Sequence, residues 1–268
     1  MIPLERYFAK IGFNQQPEKS LATLAQLQQL HPQTIPFENL DVLQGLAINL
    51  SPEALTEKLI NQSRGGYCFE QNGLMLHILR ALGYEVIPLL SRVLWNLTES
   101  DPPNPRTHMV LKVKLNHAYW LVDVGFGSMQ LTAPLRWDLK TPQSTQHETF
   151  RLTPQKHTML LEVNINEQWR PVYAISPDTQ HPADIEVANW YTSQHPNSKF
   201  KRVLMMSRVT ETTRYTLLNN QLTIRTQNKP AEKIRLNTNE LPSTLNELFL
   251  INFDDAWMAT LEKLEQIA

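Results

Sequence analysis

The chain holds one cysteine, Cys68, and its surroundings are the first place chemistry could occur. It sits in Arg64-Gly65-Gly66-Tyr67-Cys68-Phe69-Glu70-Gln71-Asn72-Gly73-Leu74. Leu74, Ile78 and Leu82 recur at four-residue spacing, with Leu76 and Leu79 widening the face, so a helix is predicted from Cys68 to Leu82, with Gly83 as its stop. A glycine pair then delivers a thiol to the first turn of a helix. Free amides and the positive end of the helix dipole gather there, and both favour an anion. A lone cysteine is more often a small buried hydrophobe. Glycine placement argues for the nucleophile here: of eight glycines, Gly65, Gly66, Gly125 and Gly127 fall in two short segments, one at the cysteine and one after Asp123.

A nucleophilic thiol needs a base, and the base needs an orienting group. His31, His117, His147, His157, His181 and His195 sit in predicted loops or element ends, where solvated surface is the usual outcome, and His77 reads as a surface or interface residue of the cysteine helix. His108 stands apart because of its relation to Asp123. Segments 108–115 and 118–124 alternate around Asn116-His117, a tight hairpin turn. If Leu115 pairs with Ala118, Val110 lies opposite Asp123 and His108 opposite Gly125. His108 and Asp123 are then diagonal neighbours on one face, about 7–8 Å apart at Cα. A one-residue slip would separate them. The apolar run around Asp123, Trp120-Leu121-Val122 and Val124, means its carboxylate needs a partner. The following Gly125-Phe126-Gly127 lacks the Lys-Ser/Thr of a phosphate loop and is a weak phosphate motif.

The elements that must position these groups run from helices to strands to a mixture. Helices are predicted at 3–11, at 20–30 with Ser20 as N-cap and Pro32 as stop, and from Ser51 to about Gln62. Strands are predicted at 84–95, in the 108–124 hairpin, and near Phe150, Leu160 and Trp169, with a Pro-rich loop at 98–105. A helix around 184–191 follows, then a strand at 201–209, a hairpin with Asn219-Asn220 at its tip, and helices near 244–249 and 255–266. That order predicts an α+β fold in three parts: a helical region over 1–83, a β region over 84–180 and a smaller α/β piece over 181–268.

Composition narrows the function. A formal net charge of −1 offers no electrostatic reason to expect nucleic acid or an anionic membrane. No window nears the roughly 20 apolar residues of a membrane span, and the opening residues do not read as a signal peptide. One cysteine makes neither an intrachain disulfide nor a structural zinc site, so no metal is expected and the cytoplasm is the expected compartment.

Four stretches in order, Ile35-Pro36-Phe37-Glu38-Asn39-Leu40, Arg64 to Glu70, Arg106-Thr107-His108 and Asp123-Val124-Gly125-Phe126-Gly127, resemble those of the bacterial arylamine N-acetyltransferases. Thr132 to Leu135 and His195 to Phe200 fit more loosely. The resemblance implies a helical domain, a β domain and an α/β lid, with Cys68, His108 and Asp123 arranged as in papain-like and transglutaminase-like proteins. It implies a two-step acetyl transfer from acetyl-CoA, a co-substrate rather than a resident cofactor, through an acetyl-cysteine to a small aromatic amine or hydrazine. It further implies that Phe37, Val93, Phe126 and Phe200 line the acceptor pocket, that Thr107, Gly125 and Gly127 lie near the pantetheine arm, and that Glu38 and Arg64 form a buried supporting pair. Competing readings are an amide synthase or another Cys-His-Asp acyltransferase on this scaffold, and a catalytically silent binding protein. The flanks of Cys68 match neither the transglutaminase Cys-Trp nor the papain signature. The sequence leaves the physiological acceptor and the oligomeric state open.

Overall fold

In the computed structural model, residues 2–98 and 100–265 are described, the side chains of 263–265 excepted. The chain begins with helices α1 (Leu4–Ile11) and α2 (Leu21–Thr34), strand β1 (Phe37–Glu38), and helices α3 (Leu40–Leu43), α4 (Pro52–Leu55) and α5 (Cys68–Ala81). Strands β2 (Glu85–Val93), β3 (His108–Leu115), β4 (Ala118–Val122), β5 (Leu135–Arg136), β6 (Gln143–Ser144), β7 (Thr149–Gln155), β8 (Thr158–Ile165) and β9 (Gln168–Ile175) follow. Helix α6 (Pro182–Gln194), strands β10 (Met205–Val209), β11 (Thr213–Leu218), β12 (Gln221–Thr226) and β13 (Glu232–Arg235), and helices α7 (Leu241–Phe249) and α8 (Met258–Glu265) complete it.

Among the described residues the strands form two antiparallel sheets. One runs β5-β4-β3-β2-β9-β8-β7-β6 and the other β1-β10-β11-β12-β13. The mixed helix-and-sheet class is as expected. One connection was not: β1, from the helical first third, is the edge strand of the C-terminal sheet, pairing Phe37 with Ser207. Strand alternation divides the core around β3. Met109, Leu111 and Val113 pack under the helices with Leu24, Leu27, Phe69 and Ile78, while Val110 turns to Leu121, Phe150, Leu161 and Tyr173.

Several boundaries differ from the sequence reading. Pro32 does not stop α2, which runs to Thr34 with Pro32 inside its last turn. Ser20 caps the start as expected, its Oγ accepting from the Thr23 amide at 3.1 Å. At the end, the Ile35 amide closes on the His31 carbonyl at 2.9 Å, so the turn survives Pro32's missing donor. The helix expected from Ser51 to Gln62 is α4 followed by a π-helical turn at Thr56–Asn61. The strand expected from 201 begins at Met205, because Lys199–Lys201 form a 3₁₀ turn capped by Ser198. The strand expected over 84–95 narrows to Glu85–Val93. The last helix stays within its expected span, and Gln266 lies outside the described residues.

His31 is the clearest correction. Expected on the surface, it is fully buried in the last turn of α2. Its Nδ1 faces the Tyr7 hydroxyl at 2.9 Å and its Nε2 the Gln71 Oε1 at 2.5 Å. Burial outweighs the Gln71 hydrogen bond and lowers its pKa to about 4. Below pH 6.5 the unfolded chain therefore binds a proton that the folded chain refuses, and stability falls as pH drops from about 6.5 towards 4. The span is worth about 3 kcal/mol. Urea unfolding at pH 7 and pH 4.5 should show His31→Gln losing less stability over that interval than the wild type. An unchanged difference would assign the acid sensitivity elsewhere.

Candidate active site

The cysteine loop is held before the helix begins. The Gly66 amide donates to Pro36 O (3.3 Å) and the Glu38 amide to Gly66 O (3.1 Å), tying the loop to β1. Gln71, on α5, donates to Pro36 O (2.7 Å) and Gly66 O (3.1 Å). Tyr67 is the N-cap, and its amide donates to Glu70 Oε2 at 3.0 Å. Cys68 is thus the first residue of α5, and its thiol donates to the Thr107 carbonyl, 3.6 Å away.

His108 opens β3, opposite Ser91 of β2, whose hydroxyl donates to the His108 carbonyl at 3.0 Å. Asn116 and His117 both have positive φ, the geometry of a tight hairpin, and Leu115 pairs with Ala118 as the turn predicts. Pairing between β3 and β4 ends at Leu111 with Val122, so the expected Val110–Asp123 and His108–Gly125 pairs lie beyond the ladder. Asp123 leaves the strand instead, and its Oδ2 meets His108 Nε2 at 2.8 Å. That engagement leaves Nδ1 for Cys68, which lies within hydrogen-bonding reach of the imidazole. All three groups are buried.

Asp123 is fully satisfied. Its Oδ1 accepts from Asn72 Nδ2 and the Gly125 amide, each at 2.9 Å. Its Oδ2 also accepts from the Tyr173 hydroxyl at 3.0 Å. Burial alone would raise the carboxyl pKa, but His108 and these donors outweigh it and hold it below the usual range. For His108, burial again opposes charge, and the Asp123 carboxylate with hydrogen bonds to Asp123 and Cys68 overcomes it, so the imidazolium is favoured. Burial, then the Asp123 charge, keeps the Tyr173 phenol protonated and able to donate.

The remaining expected residues divide into two groups. Phe126 packs edge-on to the His108 ring (5.1 Å) and near Tyr173 (5.3 Å). Val93 ends β2 beside Tyr173 in the ladder. Phe37 faces Phe200 at 6.3 Å, and Phe200 meets Tyr67 edge-on at 5.7 Å. Gly125 lies so close to α5 that a Cβ would come within 2.8 Å of Cys68 Cα, and Gly127, at φ +81°, lies against the Phe37 ring. Thr107 enters through its carbonyl on the thiol.

Behind the loop, Glu38 and Arg64 pair at 2.8 Å within a larger cluster. Arg64 also reaches Asp41 (2.8 Å), Lys58 joins Asp41 (2.7 Å) to Glu70 (2.6 Å), and the Arg64 guanidinium lies 4.7 Å over the Trp257 ring. Sequence reasoning missed Asn72, Tyr173, Gln71 and Gln130. Asn72 had a readable signal, since it is four residues after Cys68 and so on the same helix face. Tyr173 had none, because it is distant in sequence.

A thiol, an imidazole and a carboxylate joined in line, at a helix start, have the parts of an acyl-transfer site. Comparison with known proteins gives the same class. A family model described as N-acetyltransferase matches residues 20–258. The chain belongs to the arylamine N-acetyltransferase family and is an acyltransferase. It is 39% identical over 258 residues to an arylamine N-acetyltransferase of Mycobacterium tuberculosis, covering 95% of this chain and 91% of that protein. A relative of the same description in Escherichia coli is 37% identical over 257 residues, covering 94% and 90%. The structure of Mycobacterium marinum arylamine N-acetyltransferase in complex with CoA superposes with a TM-score of 0.93 at 36% identity, covering 97% of this chain and 99% of that one. Among the described residues no helix is long and apolar enough to cross a membrane. Nor do they include a group of three or more His, Cys, Asp or Glu that could hold a metal.

Proposed function

We propose that this enzyme acetylates arylamines and arylhydrazines on nitrogen, using acetyl-CoA, through an acetyl-Cys68 intermediate. The observation that carries the reading is the buried line from Cys68 through His108 to Asp123, with Nε2 to Oδ2 at 2.8 Å. In the first step the thiol proton resides on His108, which with Asp123 behind it is held as the imidazolium, and the Cys68 thiolate attacks the acetyl carbonyl. The tetrahedral oxyanion collapses, the bond to CoA sulfur breaks, and His108 returns the proton to the departing thiolate. In the second step the amine nitrogen attacks the Cys68 thioester, His108 takes a proton from it, and Cys68 sulfur leaves. Asp123 holds the imidazole tautomer and stabilises its cation through both steps. Amides of Cys68 or Phe69, at the start of α5, serve the oxyanion.

The papain-like and transglutaminase-like reading of the triad belongs to this proposal. So does a layout of helical domain 1–83, β domain 84–180 and α/β lid 181–268, working in the cytoplasm. Phe37, Val93, Phe126 and Phe200 form the walls for a flat aromatic amine, and Thr107, Gly125 and Gly127 flank the pantetheine arm. The lid keeps water from the thioester.

Intact-mass measurement after mixing with acetyl-CoA alone should show a gain of about 42 Da, mapping to Cys68, as acetyl replaces the thiol proton. Adding an arylamine should discharge it and yield the N-acetyl product. No adduct and no product would overturn the acetyltransferase reading.

A further inference from the structure

Gln130 lies outside the Cys68-His108-Asp123 line, yet its side chain holds the loop that carries two of that site's parts. It is almost fully buried. Its Nε2 donates to the Asp123 carbonyl at 2.5 Å and to Leu131 O at 3.1 Å. Its Oε1 accepts from the amides of Phe126 (3.0 Å) and Gly127 (3.4 Å). One amide side chain therefore spans the turn from Asp123 to Gly127, replacing the ladder that ended at Val122.

Gln130 is anchored in turn by the C-terminal sheet. Arg214, on β11 and wholly buried, donates from Nη2 to the Gln130 carbonyl at 3.1 Å. The same guanidinium grips Glu148 through Nη2 (2.6 Å) and Nε (3.2 Å). Arg214 stands directly opposite Arg225 on β12, a like-charge cross-strand pair that disfavours the sheet by itself. Burying a guanidinium there is costly, and what it secures is the Gln130 backbone and, through it, the loop.

We infer that Gln130 is a positioning residue for both Asp123 and Phe126, and that Arg214 makes the C-terminal sheet the reference against which they are set. Shifting the loop would move Asp123 relative to His108, which it and Tyr173 flank along with Cys68, and move the Phe126 wall that faces the acceptor. The acceptor part of this inference rests on the proposed function.

The test uses the full chain and Cys68 alkylation by iodoacetamide across pH, which needs no acetyl-CoA. Gln130→Met keeps the side-chain volume and removes all four hydrogen bonds. It should slow alkylation at pH 6 by roughly 10- to 100-fold, shift the pH profile upward, and raise the arylamine KM more than the acetyl-CoA KM. Arg214→Met should act in the same direction more weakly, with Arg225 left to neutralise Glu148. Arg214→Lys should recover part of the loss. A merely structural role would lower the melting temperature and leave the alkylation profile and the KM ratio of the folded variants at wild-type values, which overturns the inference. If Gln130→Met does not fold, Arg214→Met decides by the same readings. A failed acetyl adduct on the wild type would sink the acetyltransferase reading alone, leaving the alkylation result to stand.

Discussion

Replacing Asp123 by asparagine should cut acetyl transfer by roughly four orders of magnitude while the chain stays folded. The reason is the proton on the imidazole. With Asp123, His108 Nε2 donates to Oδ2, so Nδ1 is the nitrogen that takes the Cys68 proton, and the carboxylate holds the resulting imidazolium. An asparagine amide can point its NH₂ at Nε2, which moves the ring proton to Nδ1 and removes the base. The fold should survive because Asn matches Asp in volume, and Oδ1 can still accept from Asn72 and Gly125. The same change removes two pH effects of the wild-type protein. The lowered carboxyl pKa of Asp123 contributes stability at neutral pH that is lost as pH falls through the folded value. The raised pKa of His108 contributes stability that is complete below its unfolded value and lost as pH rises through its folded one. Steady-state kinetics with circular dichroism would check both halves, and near-wild-type activity would remove Asp123 from the mechanism.

Arg64→Ala should cost about 3–5 kcal/mol of stability, the expected loss when one partner of a buried ion pair is removed. Glu38 is fully buried, and its Oε1 is held by Arg64 at 3.2 and 2.8 Å. Its other oxygen already accepts from the Leu40 amide at 2.6 Å. Without Arg64 the cluster keeps three acids, Glu38, Asp41 and Glu70, against Lys58 alone. Trp257 also loses the cation over its ring, so the change reaches from the cysteine loop to the C-terminal helices. Arg64→Lys should recover only part, since a point charge cannot reproduce the fork on Glu38 and Asp41. Urea midpoints compare the three proteins. A wild-type midpoint for Arg64→Ala would mean that Lys58 neutralises the cluster unaided.

The local elements were largely legible because their causes are local. Ser20 caps α2, Gly83 lies just past the end of α5, and Asn116-His117 sets the hairpin register through two left-handed residues. Where local rules failed, packing had overridden them. Pro32 sits inside a helix whose last turn is closed by Ile35 on His31, and His31 is buried by partners on two other helices. Asp123 shows both sides at once. Its hairpin register was correct as far as Val122, yet its contact with His108 arises where the ladder stops.

By itself the sequence determined the groups on which the proposed chemistry rests and their carriers: a cysteine at a helix start, a histidine opening a strand, an aspartate ending one, and the motifs that mark the family. Periodicity, caps and turn residues act over a few positions, so a reading of the chain can reach them. The tertiary structure alone decided how the groups are held. Tyr173 reaches Asp123 from 50 residues away and Arg214 reaches Gln130 from 84. Such contacts depend on which sheet edges and loops meet once the core is buried, and no spacing along the chain encodes that meeting.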